Sequence, residues 1–124
     1  MTDFFMIDEL LTPEEREVRD MARRFVEETV VPVAGDLWEE GRFPAEWPRL
    51  FGEQGLLGAN LPEEYGGAGI NSVAYGLIMQ ELEAGDSGVR SFASVQGALV
   101  MFPIFQFGSE DQRKHWLPRL ARGE

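Results

Sequence analysis

Apolar and charged positions alternate with a helical period from the first capping signal onward. Thr12-Pro13-Glu14-Glu15 sets a capping threonine, a proline at the first helical position and a glutamate three residues after the cap. Such a run satisfies orphan backbone donors and predicts a helix start. Val18, Met21, Ala22, Phe25, Val26, Thr29 and Val30 follow at three-and-four spacing, while Glu17, Arg19, Asp20, Arg24, Glu27 and Glu28 fill the other face. Pro32 bends or ends this segment, which resumes through Trp38. A short second helix is predicted over Glu46 to Gln54, with Gly55 as its stop. The run Leu61-Pro62-Glu63-Glu64-Tyr65-Gly66-Gly67-Ala68-Gly69 is loop by composition. Asn71 caps a third helix reaching Ala84, whose Val73, Ala74, Leu77, Ile78 and Leu82 spread over more than one face and predict packing on two sides.

Gly85-Asp86-Ser87-Gly88 reads as a turn, with Asp86 or Ser87 capping a helix from Val89 to Phe107 that Gly108 ends. Ser109-Glu110-Asp111-Gln112 is a second capping box. It opens a last helix with Trp116, Leu117 and Leu120 inward, which Pro118 splits into two short pieces. No alternating strand pattern of useful length occurs. The expected fold class is all-α, one domain of about five helices over residues 1–124 joined by short turns.

Composition narrows the function classes. The 124 residues carry 22 acids and 11 Lys plus Arg, for a formal charge of -11. Residues 1–64 hold 16 acids and 6 bases, and residues 65–124 hold 6 and 5. The acidic first half is expected to be mostly solvated helix surface. Nucleic acid is not an expected partner, because phosphate contacts need a basic stripe. With no cysteine and one histidine, a thiolate or structural metal site is not expected. The N-terminus carries acids where a signal or transit peptide carries Arg or Lys, so no targeting segment is read and a cytoplasmic location is expected. The eighteen uncharged residues from Ser91 to Gly108 include two Ser, two Gln, two Gly and a Pro. They predict a helix buried inside protein rather than a membrane span.

Few residues suggest chemistry. Gly66-Gly67-Ala68-Gly69 lacks the strand and Lys-Ser/Thr of a phosphate-binding loop and reads as a tight turn. His115, among Arg113, Lys114 and Trp116, reads as a solvated or packing histidine. Arg90 differs: it sits in a first helical turn, where a cation opposes the macrodipole, and it is the last charge before the uncharged stretch. Ser87, Ser91 and Ser94 surround it at spacings of three and four, with Gly97 and Ala98 continuing a small-residue stripe that would leave room for a slender acyl chain. A guanidinium, hydroxyls and free backbone N–H groups suit a carboxylate or phosphate. Equally open from the residues alone is a pairing of Arg90 with Asp86 or Glu83, the small stripe then serving helix packing.

The Leu61–Gly69 run, with Phe107-Gly108-Ser109-Glu110-Asp111-Gln112-Arg113, Trp116-Leu117-Pro118 and Gly123-Glu124, resembles the acyl-CoA dehydrogenase family. Ser72-Val73-Ala74-Tyr75-Gly76-Leu77, Asp86-Ser87-Gly88-Val89-Arg90-Ser91, Ser94-Val95-Gln96 and Leu99-Val100-Met101 resemble its glutaryl-CoA dehydrogenase branch. Val89 stands where that branch has an aromatic residue, and Phe102 where it has His. The resemblance implies a flavoenzyme of three domains, N-terminal helical, middle β and C-terminal helical. In it a C-terminal glutamate removes the α-proton, FAD accepts hydride and an electron-transferring flavoprotein takes the electrons. It also implies a homotetramer and, for the branch, decarboxylation to crotonyl-CoA. On this resemblance Arg90 and Ser91 contact the distal carboxylate of the acyl-CoA, with Ser94 behind them and Glu83 in the same polar cluster. The 124 residues then correspond to about the first third of the enzyme, with the base and the FAD motifs expected elsewhere and no dehydrogenase activity expected alone. The alternative is a non-catalytic helical module, or a subunit of a split acyl-CoA dehydrogenase-like protein, docking through its neutral second half.

Overall fold

The structure, a computed structural model, describes residues 4–124. Among them there are six α-helices and no strand. Helix α1 (Pro13–Phe25) continues through a π-helical turn, Val26–Val30, and is followed by α2 (Ala34–Glu40) and α3 (Trp47–Glu53). Helix α4 (Ser72–Gly85) leads directly into α5 (Ser87–Phe107), and α6 (Glu110–Ala121) closes the chain. Short 3-10 turns cover Ile7–Leu10 and Glu63–Tyr65.

Both capping boxes form as the sequence predicts. Thr12 accepts from the backbone N–H of Glu15 while Glu15 accepts from that of Thr12, and Ser109 and Gln112 do the same for α6. At the break between α4 and α5 it is Asp86, not Ser87, that caps, accepting from Val89 N at 2.9 Å. Gly85 belongs to the last turn of α4 rather than to a separate turn.

Helices α1 and α4 lie side by side and parallel, and polar contacts fix their register. Near their starts the Glu15 carboxylate accepts from Asn71 Nδ2 at 2.8 Å, and the other end of the Asn71 amide caps α4 at Ala74 N. Two turns on, Arg23 of α1 grips buried Glu81 of α4 through both Nε (3.0 Å) and NH2 (2.8 Å). At the far end Gly85 meets the π turn, and a Cβ built there would stand 2.4 Å from Val26 Cγ1.

Prolines account for the two widened turns. A proline inside a helix drives its ring against the carbonyl four residues back, and a π turn moves that carbonyl aside. Val31 N donates to Val26 O just before Pro32, and Phe102 N donates to Gly97 O just before Pro103. Pro118 behaves otherwise. It was expected to split the last helix, yet α6 runs through it unbroken, because Leu117 and Ala121 on either side of it are both buried and hold the backbone to the core.

The main core joins α1, α3, α4 and the first half of α5 around Phe51, Leu56, Leu57, Ile78, Leu82 and Val89. Phe51 stands edge-on to Phe25 and Phe92, tying α3 to α1 and α5. A second cluster of Leu61, Tyr65, Met101, Leu117 and Ala121 binds α6 to the end of α5 and to the glycine loop. Trp116, expected inward, is half-exposed instead, stacked edge-on with His115.

The uncharged helix is the largest departure. Expected to be buried, the apolar window of α5 is only 22% buried among the described residues, and Val95, Leu99 and Phe102 face outward. By length and composition α5 is long and apolar enough to cross a membrane. One of its faces holds the core, and no described element covers the other.

A methyl group at Gly85 must push α4 away from Val26, whereas Gly76, exposed on the same helix, has nothing within 4 Å of a built Cβ. We predict that Gly85→Ala lowers the unfolding free energy by about 1–3 kcal/mol. Gly76→Ala should raise it by roughly 0.5–1 kcal/mol. Chemical denaturation of both variants checks the contrast.

Candidate functional site

Three of the four residues singled out in the sequence meet at the junction of α4 and α5. Arg90 donates from Nε to Glu83 Oε2 at 2.6 Å and from NH1 to Ser94 Oγ at 3.3 Å. Ser87 Oγ donates to the other oxygen of Glu83, Oε1, at 2.6 Å. Ser94 Oγ in turn donates to the Ser91 carbonyl at 3.1 Å. The order is Ser87, Glu83, Arg90, Ser94, and each link is a hydrogen bond.

Local folding explains the assembly. Glu83 lies in the last turn of α4, Ser87 and Arg90 in the first turn of α5, and a single residue, Asp86, separates the helices. Because Asp86 takes the capping role, Ser87 is free to turn back toward Glu83. The sequence left Asp86 and Glu83 open as partners of Arg90, and the structure selects Glu83.

Ser91 is placed apart. Its side chain lines an open groove of about 780 Å³ between α2 and α5, walled by Leu37, Trp38, Phe43, Trp47 and Phe92. Only its carbonyl joins the Arg90 cluster. The small-residue stripe also divides, because the π turn over Val95–Met101 breaks the helical repeat. Gly97 is buried against Gly58 and the Tyr75 hydroxyl, while Ala98 is exposed.

Electrostatics follow from these contacts. The Arg90 guanidinium, aided by the Ser87 hydroxyl, holds the Glu83 carboxyl below its ordinary value. Both side chains are partly exposed, so water screens the pair. Arg90 keeps its remaining donors: among the described residues, NH2 has no hydrogen-bond partner. The arrangement is a cation fixed in direction and half-neutralised, while the groove is lined by other positions of α5, among them Gly88, Ser91, Phe92 and Val95. A guanidinium with a spare donor can pair with a carboxylate or phosphate.

A network that sequence spacing did not reveal lies on the other side of α5. Tyr65 donates to Glu110 at 2.9 Å, Lys114 and Arg113 flank the same carboxylate, and Arg113 lies over the Phe105 ring at 5.8 Å. The bond to Glu110, reinforced by burial, raises the Tyr65 hydroxyl's pKa. Its signal was Glu110, inside the Ser109–Gln112 capping run that the sequence reads only as a helix start. The cluster ties the glycine loop to α6.

The glycine loop itself offers nothing to a phosphate. Its amides are already spent: Gly67 N donates to Pro62 O, Ala68 N to Ala59 O and Gly69 N to Leu61 O. Among the described residues, this loop therefore provides no cradle for a dinucleotide's pyrophosphate. The described residues also contain no group of three or more acidic or histidine side chains able to hold a metal ion.

The described residues form an all-α domain of six helices, with a polar junction between α4 and α5 and an apolar groove between α2 and α5. The chain belongs to the acyl-CoA dehydrogenase family: residues 12–124 match the model described as acyl-CoA dehydrogenase, N-terminal domain. A solved structure of a glutaryl-CoA dehydrogenase from Mycobacterium smegmatis in complex with FADH2 is 48% identical, with a TM-score of 0.94 over 98% of this chain and 31% of that one. Butyryl-CoA dehydrogenase from Megasphaera elsdenii is 30% identical, with a TM-score of 0.83 over 91% of this chain and 30% of that one. The mitochondrial short-chain specific acyl-CoA dehydrogenase of Bos taurus is 34% identical over 90% of this chain and 27% of its own length. The chain thus spans about a third or less of the relatives it matches.

A carboxylate held below its ordinary pKa in the folded state stabilises the fold above its unfolded pKa, and that contribution is lost as pH falls through the native value. Glu83, Glu15, Glu110 and Glu124 are all lowered from about 4.5 by hydrogen bonds to their neighbours. We predict that the melting temperature falls as pH drops below about 4.5, and that Glu83→Gln makes this acid-side decline shallower, as read by melting curves at successive pH values.

Proposed function

We propose that this domain forms the substrate-facing wall of an FAD-dependent acyl-CoA dehydrogenase acting on a dicarboxylyl-CoA, with glutaryl-CoA the favoured substrate. The carrying observation is Arg90, held by Glu83 and Ser94 and with NH2 unpartnered among the described residues. A cation so placed suits the distal carboxylate of a short acyl chain. The 48% identity to the Mycobacterium smegmatis glutaryl-CoA dehydrogenase supports that choice over a monocarboxylyl substrate.

In this reading the domain binds and orients, and the chemistry lies outside the described residues. FAD, in this reading held mainly by residues outside those described, supplies hydride acceptance when bound. The proton-abstracting glutamate belongs there as well. An electron-transferring flavoprotein is the proposed electron acceptor, a homotetramer the proposed assembly and decarboxylation to crotonyl-CoA the proposed outcome. The outward face of α5 at Val95, Leu99 and Phe102 fits a surface that meets the remainder of such a protein.

Arg90→Gln in the flavin-loaded, full-length protein tests this. Loss of a charge partner for the substrate's carboxylate should lower kcat/KM for glutaryl-CoA by about 2 kcal/mol or more. The loss on butyryl-CoA should be several-fold smaller. Equal losses on the two substrates would contradict the carboxylate-anchor reading.

A further inference from the structure

Two glutamates two residues apart on α4 each pair with an arginine, and they do so differently. Glu81 is gripped side-on: Arg23 Nε and NH2 take its two oxygens at 3.0 and 2.8 Å. Glu83 is held by Arg90 through Nε alone, at 2.6 Å. The side-on fork is the geometry that guanidinium and carboxylate ordinarily favour. What distinguishes the second pair is its other carboxylate oxygen, Oε1, which receives the Ser87 hydroxyl at 2.6 Å.

From this contrast we infer that Ser87 is a positioning residue: by occupying Glu83 Oε1 it keeps the Glu83–Arg90 pair single-bonded, and so leaves Arg90 NH2 available to an incoming carboxylate. The inference rests on the proposed role of Arg90 and adds to it a reason why the anchor is not quenched by its own partner. Glu83 alone would serve two opposed ends. It orients Arg90, but a side-on pairing would consume the donors that a ligand needs. Ser87 resolves the conflict. It is able to do so because Asp86 has already taken the cap of α5, leaving the serine hydroxyl with no helix-capping duty. Ser94, on NH1, restrains the guanidinium plane from the other side at 3.3 Å.

The test compares Ser87→Ala, Ser87→Thr, Glu83→Ala and the double variant in the flavin-loaded full-length protein, with glutaryl-CoA and butyryl-CoA as paired substrates. A hydrogen bond to a charged group sets the scale, and its loss is worth about tenfold. Ser87→Ala should therefore lower the glutaryl-to-butyryl ratio of kcat/KM about tenfold, with the change in KM rather than kcat. Ser87→Thr, which keeps the hydroxyl, should restore the ratio. In the Glu83→Ala background, where no carboxylate competes for NH2, Ser87→Ala should change the ratio no further. In the 124-residue chain, nuclear magnetic resonance of the Arg90 side-chain N–H groups should show NH2 becoming protected from solvent exchange in Ser87→Ala.

An equal loss on both substrates, an effect undiminished by Glu83→Ala, or an unchanged ratio would overturn the positioning role. Failure of the underlying reading looks different. In that case Arg90→Gln itself leaves the ratio unmoved, whatever Ser87 does.

Discussion

The parallel register of α1 against α4 is the constraint on which the rest of the molecule depends. It is set by three contacts of different kind at three heights: the Glu15–Asn71 hydrogen bond, the Arg23–Glu81 fork and the close approach of Gly85 to Val26. A buried carboxylate such as Glu81 is costly without its partner, so the register cannot slip by a residue without stranding a charge. The apolar contact at Gly85 is equally unforgiving, since packed interiors have little free volume. Together they determine where α4 ends. Asp86 then starts α5 at once, and the angle between the two helices brings Glu83, Ser87 and Arg90 within hydrogen-bond reach.

The site is thus a consequence of a helix junction rather than of a loop. Rigid helical supports hold the Arg90 guanidinium in one direction, while partial exposure leaves it open to exchange one polar partner for another. The groove between α2 and α5, lined by Ser91 but not by Arg90, has apolar walls of Trp38, Phe43, Trp47 and Phe92. The chain belongs to the acyl-CoA dehydrogenase family, which gives the proposed carboxylate recognition its chemical setting.

Much of the fold was legible because helices announce their ends locally. Thr12, Asn71 and Ser109 each cap a helix through a contact only three residues away, and such contacts are written in adjacent sequence. Contacts between distant residues were not legible. Nothing in the local pattern joins Arg23 to Glu81 or Tyr65 to Glu110, which lie 58 and 45 residues apart. Pro118 and the small stripe failed for a related reason. Local rules predict a break at Pro118 and one continuous face from Ser87 to Ala98, but tertiary packing holds α6 straight and the Pro103 π turn rotates α5. Within the site, Ser94 beside Arg90 followed from spacing, whereas the residues alone left Glu83 and Asp86 equally open and only the family resemblance put Glu83 in the cluster. Ser91 shares the groove instead, and the part played by Ser87 emerged only once Asp86 was seen to take the cap.

The most direct measurement is a crystal structure of the flavin-loaded full-length protein with a dicarboxylyl-CoA, or a non-reactive analogue of it, bound. The account predicts the distal carboxylate within hydrogen-bond distance of Arg90 NH2, with Glu83 still on Nε and Ser87 still on Glu83 Oε1. A ligand whose carboxylate lies elsewhere, or an Arg90 that closes side-on onto Glu83 and makes no contact with the ligand, would contradict it.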